Sequence, residues 1–74
     1  MKKITIYTSN SCPHCVTAKQ FFKEKGIEFA EKNVHTDAEA RKELISKGYM
    51  GVPVIVIDQE EIQGFDKAKI EELL

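Results

Sequence analysis

The sequence predicts a small α/β fold in which three helices pack on a four-stranded mixed sheet, in the order β-α-β-α-β-β-α. Strand-like segments alternate with segments of helical periodicity, and capping residues precede each helical segment. The last two strand-like segments are separated by only a short polar turn. The chain has 74 residues, which is one domain. We expect the first two strands to be parallel, joined by a right-handed crossover, and the last two to form an antiparallel hairpin.

The predicted strands differ in how they are covered. Residues 3–8 alternate, with Ile4 and Ile6 on one face. Residues 27–34 form a weaker second strand, because charged residues interrupt it. Residues 52–57 are a continuous apolar run, which predicts a third strand covered on both faces. Residues 61–63 form a short polar strand that we expect at the edge of the sheet.

Each predicted helix begins at a capping residue. Pro13 suits the first turn of the first helix, and Gly26 suits its end. Residues 36–39 match a capping box for a second helix that is predicted to end near residue 47. Asp66 is predicted to cap the last helix. The inward-facing side chains are predicted to be Leu44 and Ile45 on the second helix and Ile70, Leu73 and Leu74 on the third.

Composition excludes several functional classes. The chain is 42% hydrophobic and 31% charged, and its net charge is -1 from 11 basic and 12 acidic residues. A nucleic-acid interface needs a basic excess, which is missing. The longest apolar run, residues 52–57, is far too short to cross a membrane, and no apolar signal region follows the first residues. We expect a cytoplasmic, monomeric protein that binds neither nucleic acid nor membrane.

The two cysteines stand in one Cys-Pro-His-Cys segment. A disulfide between Cys12 and Cys15 closes so short a loop that it stabilises little, which favours catalysis or metal binding. Cys12 is predicted to lie at a helix N-terminus, where free N–H groups and the helix dipole lower the pKa of a thiol from about 8.5. Cys15 lies one turn deeper and is more shielded. The arrangement predicts Cys12 as the nucleophile and Cys15 as the resolving thiol.

Metal binding is the alternative to redox catalysis. Two thiolates leave a tetrahedral zinc site two ligands short. His14 lies between the cysteines, and His35 stands at no spacing typical of a metal site. A c-type haem requires a histidine directly after the second cysteine, where this chain has Val16. We therefore predict no metal ligands, and a metal-carrying or iron–sulfur-carrying module stays as the alternative of another class.

Four short motifs resemble the glutaredoxin family over essentially the whole chain: Ile-Tyr-Thr at 6–8, Cys-Pro-His-Cys at 12–15, Gly-Val-Pro at 51–53 and Gly-Phe-Asp at 64–66. The resemblance implies a single domain over residues 1–74 with a thioredoxin-like fold. It implies a glutathione-dependent thiol–disulfide oxidoreductase that reduces protein disulfides and glutathione mixed disulfides, in electron transport and cell redox homeostasis. Glutathione would then be a co-substrate, with no cofactor bound.

The resemblance also implies roles outside the cysteine pair. Pro53 is implied to follow a cis peptide bond and to face Cys12, although a proline that simply starts a strand is the plainer explanation. The main chain of Val52 is implied to bind the cysteine part of glutathione. The backbone of Phe65 and Asp66 is implied to hold the γ-glutamyl carboxylate, which agrees with the anion affinity of a helix N-terminus.

Two residues between the cysteines tune the pair. Pro13 fixes the backbone, and His14 adds a donor and partial positive charge beside the thiolate. Both effects favour the reduced form, so we expect a pair more oxidising than that of thioredoxin.

The sequence departs from the family pattern in three places. Glutaredoxins usually carry a lysine or arginine just upstream of the cysteines, where this chain has Ser9-Asn10-Ser11. A single acid, Asp66, stands where two are usual, and His14 replaces a tyrosine or phenylalanine. With these changes the sequence resembles the glutaredoxin-like hydrogen donors of ribonucleotide reductase, which are proteins that thioredoxin reductase reduces. The expected partners are glutathione, disulfide-containing or glutathionylated proteins, ribonucleotide reductase and thioredoxin reductase.

Overall fold

In the computed structural model, which describes residues 3–49 and 51–74, the elements follow the predicted order. The prediction of an α/β fold with a mixed four-stranded sheet and three helices is confirmed. The elements are β1 (Ile4–Thr8), α1 (Pro13–Glu24), β2 (Ala30–Asn33), α2 (Ala38–Ser46), β3 (Val54–Ile57), β4 (Glu60–Gln63) and α3 (Lys67–Leu73). No helix within these described residues is long and apolar enough to span a bilayer.

The strands are arranged β2-β1-β3-β4. β1 runs parallel to β2, and β3 and β4 form an antiparallel hairpin, as predicted. β1 also runs antiparallel to β3. Tyr7 is paired with Val54, so the end of β1 lies beside the start of β3. The chain leaves β1 at Thr8 and enters the cysteine segment. The cysteines therefore lie at the end of the sheet where β3 begins.

Two hydrophobic clusters cover the two faces of the sheet. Ile4 and Ile6 point into the cluster beneath α1 and α3, whereas Tyr7 points into the cluster beneath α2, as the alternation of a strand requires. Phe22 of α1 is fully buried in the first cluster. Because both faces are covered, the predicted two-sided burial of the third strand is confirmed. The buried residues of this first cluster, which lies between the sheet and α1 and α3, are Ile4, Ile6, Ala18, Phe22, Ile55, Ile57, Ile62 and Ile70.

The end of α1 explains why the second strand is shorter than predicted. Gly26 has a φ of 69°, which a residue without Cβ adopts easily. The N–H of Ile27 then donates to the carbonyl of Phe22 at 2.9 Å, which is the long hydrogen bond of a Schellman motif. Ile27 is thus part of the helix terminus, and β2 begins only at Ala30. The prediction that the strand begins at residue 27 is wrong for this reason.

The start of α2 also differs from the prediction. Asp37 is the N-cap, and its side chain accepts hydrogen bonds from the backbone of Glu39 at 3.0 Å and of Ala40 at 3.3 Å. The prediction of a capping box that begins at Thr36 is wrong, because the carboxylate one residue later accepts the hydrogen bonds of the free N–H groups.

The predicted inward face of α2 is only half right. Ala40 and Leu44 are buried, but Ile45 is 59% exposed. Successive helical residues are separated by about 100°, so a residue directly after the centre of the buried face turns toward solvent. Three further boundaries shift: β3 begins at Val54, two residues later than predicted, β4 begins at Glu60, one residue earlier, and α3 ends before Leu74. The prediction that Leu74 faces inward is wrong, because it lies beyond the helix and is 39% exposed. The edge position predicted for the last strand is confirmed.

Candidate active site

Cys12 is the N-cap of α1. Its backbone is extended, with φ −126° and ψ 98°, and Sγ accepts a hydrogen bond from the N–H of Cys15 at 3.1 Å. The sulfur thus takes the place that a serine or aspartate oxygen usually occupies at a helix start. Pro13 follows as the first helical residue, where its missing N–H leaves no hydrogen bond unmade. The local sequence therefore places a sulfur atom at the positive end of the helix.

Cys12 and Cys15 are joined by a disulfide bond, with 5.2 Å between their Cα atoms. The two sulfurs differ in access, because Cys15 is 1% exposed while Cys12 is half-buried. After reduction, the N–H of Cys15 and the helix dipole both stabilise a thiolate on Cys12. Chemically, the arrangement presents one accessible sulfur and one shielded sulfur within bonding distance.

The side chains of Pro13 and His14 are exposed on the first turn of α1. Because His14 stands between the cysteines, its imidazole lies in the same helical turn as both sulfurs. Its exposed side chain is accessible to an incoming partner.

The Val52–Pro53 peptide bond is cis, as the family resemblance implies. Pro53 is buried, while Val52 is half-buried against the cluster beneath α2. Within the described part of the chain, neither the N–H nor the carbonyl of Val52 has a backbone partner. Because β3 starts beside the end of β1, this main-chain edge lies at the same end of the sheet as Cys12.

The segment before α3 is attached to this proline. The N–H of Gly64 donates to the carbonyl of Pro53 at 2.7 Å. Phe65 then packs edge-on against Phe21 of α1, with 5.5 Å between the ring centroids. Asp66 caps α3 by accepting the N–H of Lys69 at 3.2 Å. The hydrogen bond thus joins Pro53 to Gly64, and the Asp66 carboxylate accepts one of the free N–H groups at the start of α3.

A buried hydroxyl at the end of β1 connects three elements. Thr8 is fully buried, and its Oγ1 donates to Oε2 of Glu31 on β2 at 2.8 Å. Lys19 of α1 donates to the same oxygen at 3.0 Å. The hydrogen bond from Lys19 lowers the pKa of Glu31, and that from Thr8 acts in the same direction. No local sequence pattern indicates this network, since Glu31 is one of the charged residues that interrupt the predicted second strand.

The segment between β1 and the cysteines, Ser9–Ser11, contains no charged side chain. It is fastened to the end of β2, because Nδ2 of Asn33 donates to Oδ1 of Asn10 at 2.8 Å. No local sequence pattern indicates a role for Asn33. Over residues 3–49 and 51–74, no group of three or more His, Cys, Asp or Glu side chains is placed to hold a metal ion.

Comparison with known proteins decides the family. Residues 4–62 match the family model named Glutaredoxin. The chain belongs to the glutaredoxin family. Its Cys-Pro-His-Cys segment is the redox motif of a thiol–disulfide oxidoreductase, and its architecture is the thioredoxin-like fold that the resemblance implies.

Individual relatives cover almost all of this glutaredoxin. An uncharacterized glutaredoxin-like 8.6 kDa protein in the rubredoxin operon of Clostridium pasteurianum is 43% identical over 72 residues, which is 96% of each chain. Glutaredoxin 3 of Escherichia coli is 39% identical over 67 residues, covering 89% of this chain and 81% of that protein. The solved structure of the glutaredoxin-like protein NrdH-redoxin from Escherichia coli, described as having a thioredoxin-like activity profile, superposes with a TM-score of 0.88. It is 32% identical and covers 97% of this chain and 95% of its own.

Proposed function

We propose that this glutaredoxin is a dithiol reductant of protein disulfides that is itself reduced by thioredoxin reductase. The thiolate of Cys12 attacks one sulfur of a substrate disulfide and forms a mixed disulfide, and the other substrate sulfur leaves as a thiolate. The thiolate of Cys15 then attacks Sγ of Cys12. This step forms the Cys12–Cys15 disulfide and releases the second substrate thiol, so two electrons pass to the substrate.

The roles of the two cysteines follow from their different access. A bulky protein disulfide can reach the half-buried sulfur of Cys12 but not the buried sulfur of Cys15. The attacking thiolate is also the one stabilised by the N–H of Cys15 and by the helix start. Cys15 needs only to reach Cys12, which is one turn away.

The observation that carries the choice of electron source is the uncharged segment Ser9–Ser11 beside Cys12. Glutathione is a small peptide with two carboxylates, and a hydrogen bond to a charged group contributes about 1.5–3 kcal/mol. Without a cation in this segment, one glutathione carboxylate lacks its usual partner. A protein partner does not depend on this contact.

The main chain of Val52 is a second observation in favour of a protein partner. Its N–H and carbonyl have no backbone partner within the described residues. An extended segment of a substrate protein can pair with such an edge through main-chain hydrogen bonds, without requiring charge. The similarity to NrdH-redoxin, with its thioredoxin-like activity profile, supports the same choice. A ribonucleotide reductase is one protein with a suitable disulfide, and NADPH-fed reduction of this kind agrees with a cytoplasmic location.

A second candidate is a glutathione-dependent glutaredoxin. The observation in its favour is the hydrogen bond from Gly64 to the Pro53 carbonyl. It joins Pro53, which follows Val52, to Gly64, which precedes Phe65. The family resemblance assigns Val52, Phe65 and Asp66 to glutathione. In this case glutathione is a co-substrate, and the mixed disulfide on Cys12 contains glutathione. The 39% identity to glutaredoxin 3 supports this candidate.

The test compares two electron sources under matched conditions. The oxidised protein is supplied with glutathione and glutathione reductase, or with thioredoxin reductase, and the loss of NADPH is followed. We expect turnover with thioredoxin reductase to be at least about tenfold faster, since one lost charged contact corresponds to roughly that factor. Equal or faster turnover with glutathione would instead establish the second candidate.

Charge variants make the comparison specific. Ser9→Lys and Ser11→Lys, tested separately, each place a cation in the segment upstream of Cys12. At least one should raise the glutathione-coupled rate without raising the rate with thioredoxin reductase. Ser46→Lys, which adds the same charge on α2, is the control and should change neither rate. If neither upstream lysine raises the glutathione-coupled rate, the missing cation does not explain the preference.

A further inference from the structure

The side chain of Asn33 makes hydrogen bonds in two directions. Its Nδ2 donates to Oδ1 of Asn10 at 2.8 Å, and its Oδ1 accepts the backbone N–H of His35 at 2.9 Å. The carbonyl of Asn33 also accepts the N–H of Asp37 at 2.9 Å. The residue therefore connects the loop after β2 with the segment that precedes the cysteines.

The orientation of this amide is fixed by its partners. A backbone N–H can only donate, so the group that faces His35 must be the carbonyl oxygen of Asn33. Its NH₂ group is then directed to Asn10 and requires an acceptor there. At the next residue along the chain, the N–H of Val34 donates to the carbonyl of Thr8 at 2.8 Å. Asn33 is thus held in place on the sheet before it contacts the cysteine segment.

The segment that Asn33 holds has little other support. Asn10 and Ser11 are exposed, and Ser9 is half-buried. Among the described residues, the hydrogen bond between Asn10 and Asn33 is the one side-chain hydrogen bond that this segment makes. Cys12 follows two residues after Asn10, and its carbonyl accepts the N–H of Val16 at 3.3 Å. The position of the Cys12 sulfur therefore depends on this segment on one side and on α1 on the other.

We propose that Asn33 is a positioning residue for Cys12: its hydrogen bond to Asn10 holds the Ser9–Ser11 segment in the conformation in which Sγ of Cys12 caps α1. The proposal rests on the proposed role of Cys12 as the nucleophile. Without the Asn33–Asn10 bond, the exposed segment samples other conformations. The sulfur then spends less time 3.1 Å from the N–H of Cys15, and the thiolate loses part of its stabilisation.

The test is a double-mutant cycle on the reduced protein, with Asn10→Ala, Asn33→Ala and the double variant. The rate of alkylation by iodoacetamide is measured against pH, the alkylated cysteine is identified by mass spectrometry, and thiolate absorbance at 240 nm is recorded. We expect each single variant to lower the alkylation rate of Cys12 on the acid side of its pH profile by about threefold to tenfold, the range that one lost hydrogen bond gives. The midpoint of the pH profile should move upward. The effect of the double variant should be smaller than the sum of the two single effects, because both substitutions remove the same bond between Asn10 and Asn33.

Thr36→Ala is the matched control, because Thr36 is exposed in the same loop and its side chain makes no hydrogen bond within the described residues. It should leave the pH profile unchanged.

Effects of Asn10→Ala and Asn33→Ala that simply add would overturn the proposal, as would an unchanged pH profile in either folded variant. A lowered melting temperature with an unchanged profile means that Asn33 is only structural. If Asn33→Ala does not fold, Asn10→Ala alone still decides, since its side chain is exposed. Alkylation of Cys15 before Cys12 would instead refute the proposed role of Cys12.

Discussion

The backbone N–H of Cys15 lies 3.1 Å from Sγ of Cys12 and donates a hydrogen bond to it. The residue proposed to resolve the mixed disulfide therefore also stabilises the sulfur that forms it. This contact involves the main chain of Cys15, so it persists when the thiol of Cys15 is replaced. The two contributions of Cys15 can be separated by substitution.

Substituting each cysteine should separate the two steps of the reaction. Cys12→Ser should abolish all turnover, because no accessible sulfur remains to attack the substrate. Cys15→Ser keeps the main-chain donor and should still form the mixed disulfide, which then accumulates because nothing resolves it. Mass spectrometry after reaction with a disulfide substrate detects the trapped species. Retained turnover in Cys12→Ser would contradict the assignment of the nucleophile.

His14 should set the reduction potential. Its imidazole is exposed in the helical turn that contains both sulfurs, where a donor or a positive charge favours the thiolate and hence the reduced form. His14→Ala should make the pair more reducing, by a shift on the order of 30 mV, which corresponds to about 1.4 kcal/mol for two electrons. Equilibration with dithiol redox buffers measures the potential. His35→Ala, in the exposed loop after β2, is the control, and an equal shift there would contradict a specific effect of His14.

The ion pair of Glu31 should contribute to stability at neutral pH and not in acid. Lys19 and Thr8 lower the pKa of Glu31 from its ordinary value of 4.5. A carboxyl group whose pKa is lowered by folding stabilises the folded state above the unfolded-state pKa, and this contribution is lost as the pH falls through the lower, folded-state value. The stability difference between pH 7 and pH 3 should therefore be smaller in Glu31→Gln than in the wild type.

The size of this effect is limited by solvent. The side chains of Lys19 and Glu31 are 27% and 35% exposed, so we expect less than about 1 kcal/mol. Urea unfolding at the two pH values measures it. Glutamine keeps an oxygen that can accept from Thr8, which restricts the change to the charge. Glu28→Gln, at an exposed residue outside the ion pairs of the described residues, is the control, and a reduction there as large as in Glu31→Gln would refute the prediction.

Adjacent residues on α2 should respond very differently to truncation. Leu44 is 4% exposed and packs in the cluster between α2 and the sheet, whereas Ile45 is 59% exposed. Leu44→Ala should lower the free energy of unfolding by about 2–5 kcal/mol, because it removes buried atoms and leaves a cavity. Ile45→Ala should change it by less than about 0.5 kcal/mol. Urea denaturation of the two variants compares them directly, and a similar loss in both would mean that α2 is rotated from the orientation described.

The elements that sequence predicts well are those with a repeating pattern or a fixed chemical requirement. The alternation of Ile4 and Ile6 predicts β1, and the position of Cys12 directly before Pro13 predicts the start of α1. These signals are local, since they depend on residues within one turn or one strand. The parallel pairing of β1 with β2 follows from general rules of connection, whereas the pairing of β1 with β3 is seen only in the structure.

The predictions that failed did so for physical reasons that a local sequence pattern does not contain. Ile27 is apolar enough for a strand, but the helix that precedes it uses its N–H. Ile45 is as apolar as Leu44, and only the rotation of α2 against the sheet decides which of them is buried. Asn33 and Glu31 act through partners more than ten residues away in sequence. Such contacts depend on the sheet register, which becomes visible only in three dimensions.

The central place of β1 has a consequence for the newly synthesised protein. Ile4 is paired with Ile57, so β1 cannot complete its hydrogen bonds on that side until most of the chain has left the ribosome. At about 5–20 residues per second, synthesis of the intervening segment takes several seconds. During that time Cys12 and Cys15 have no finished sheet beside them and are open to oxidants and to other thiols. The thiol state of the nascent polypeptide therefore depends on the reducing capacity of the surrounding medium, before the folded domain can control it.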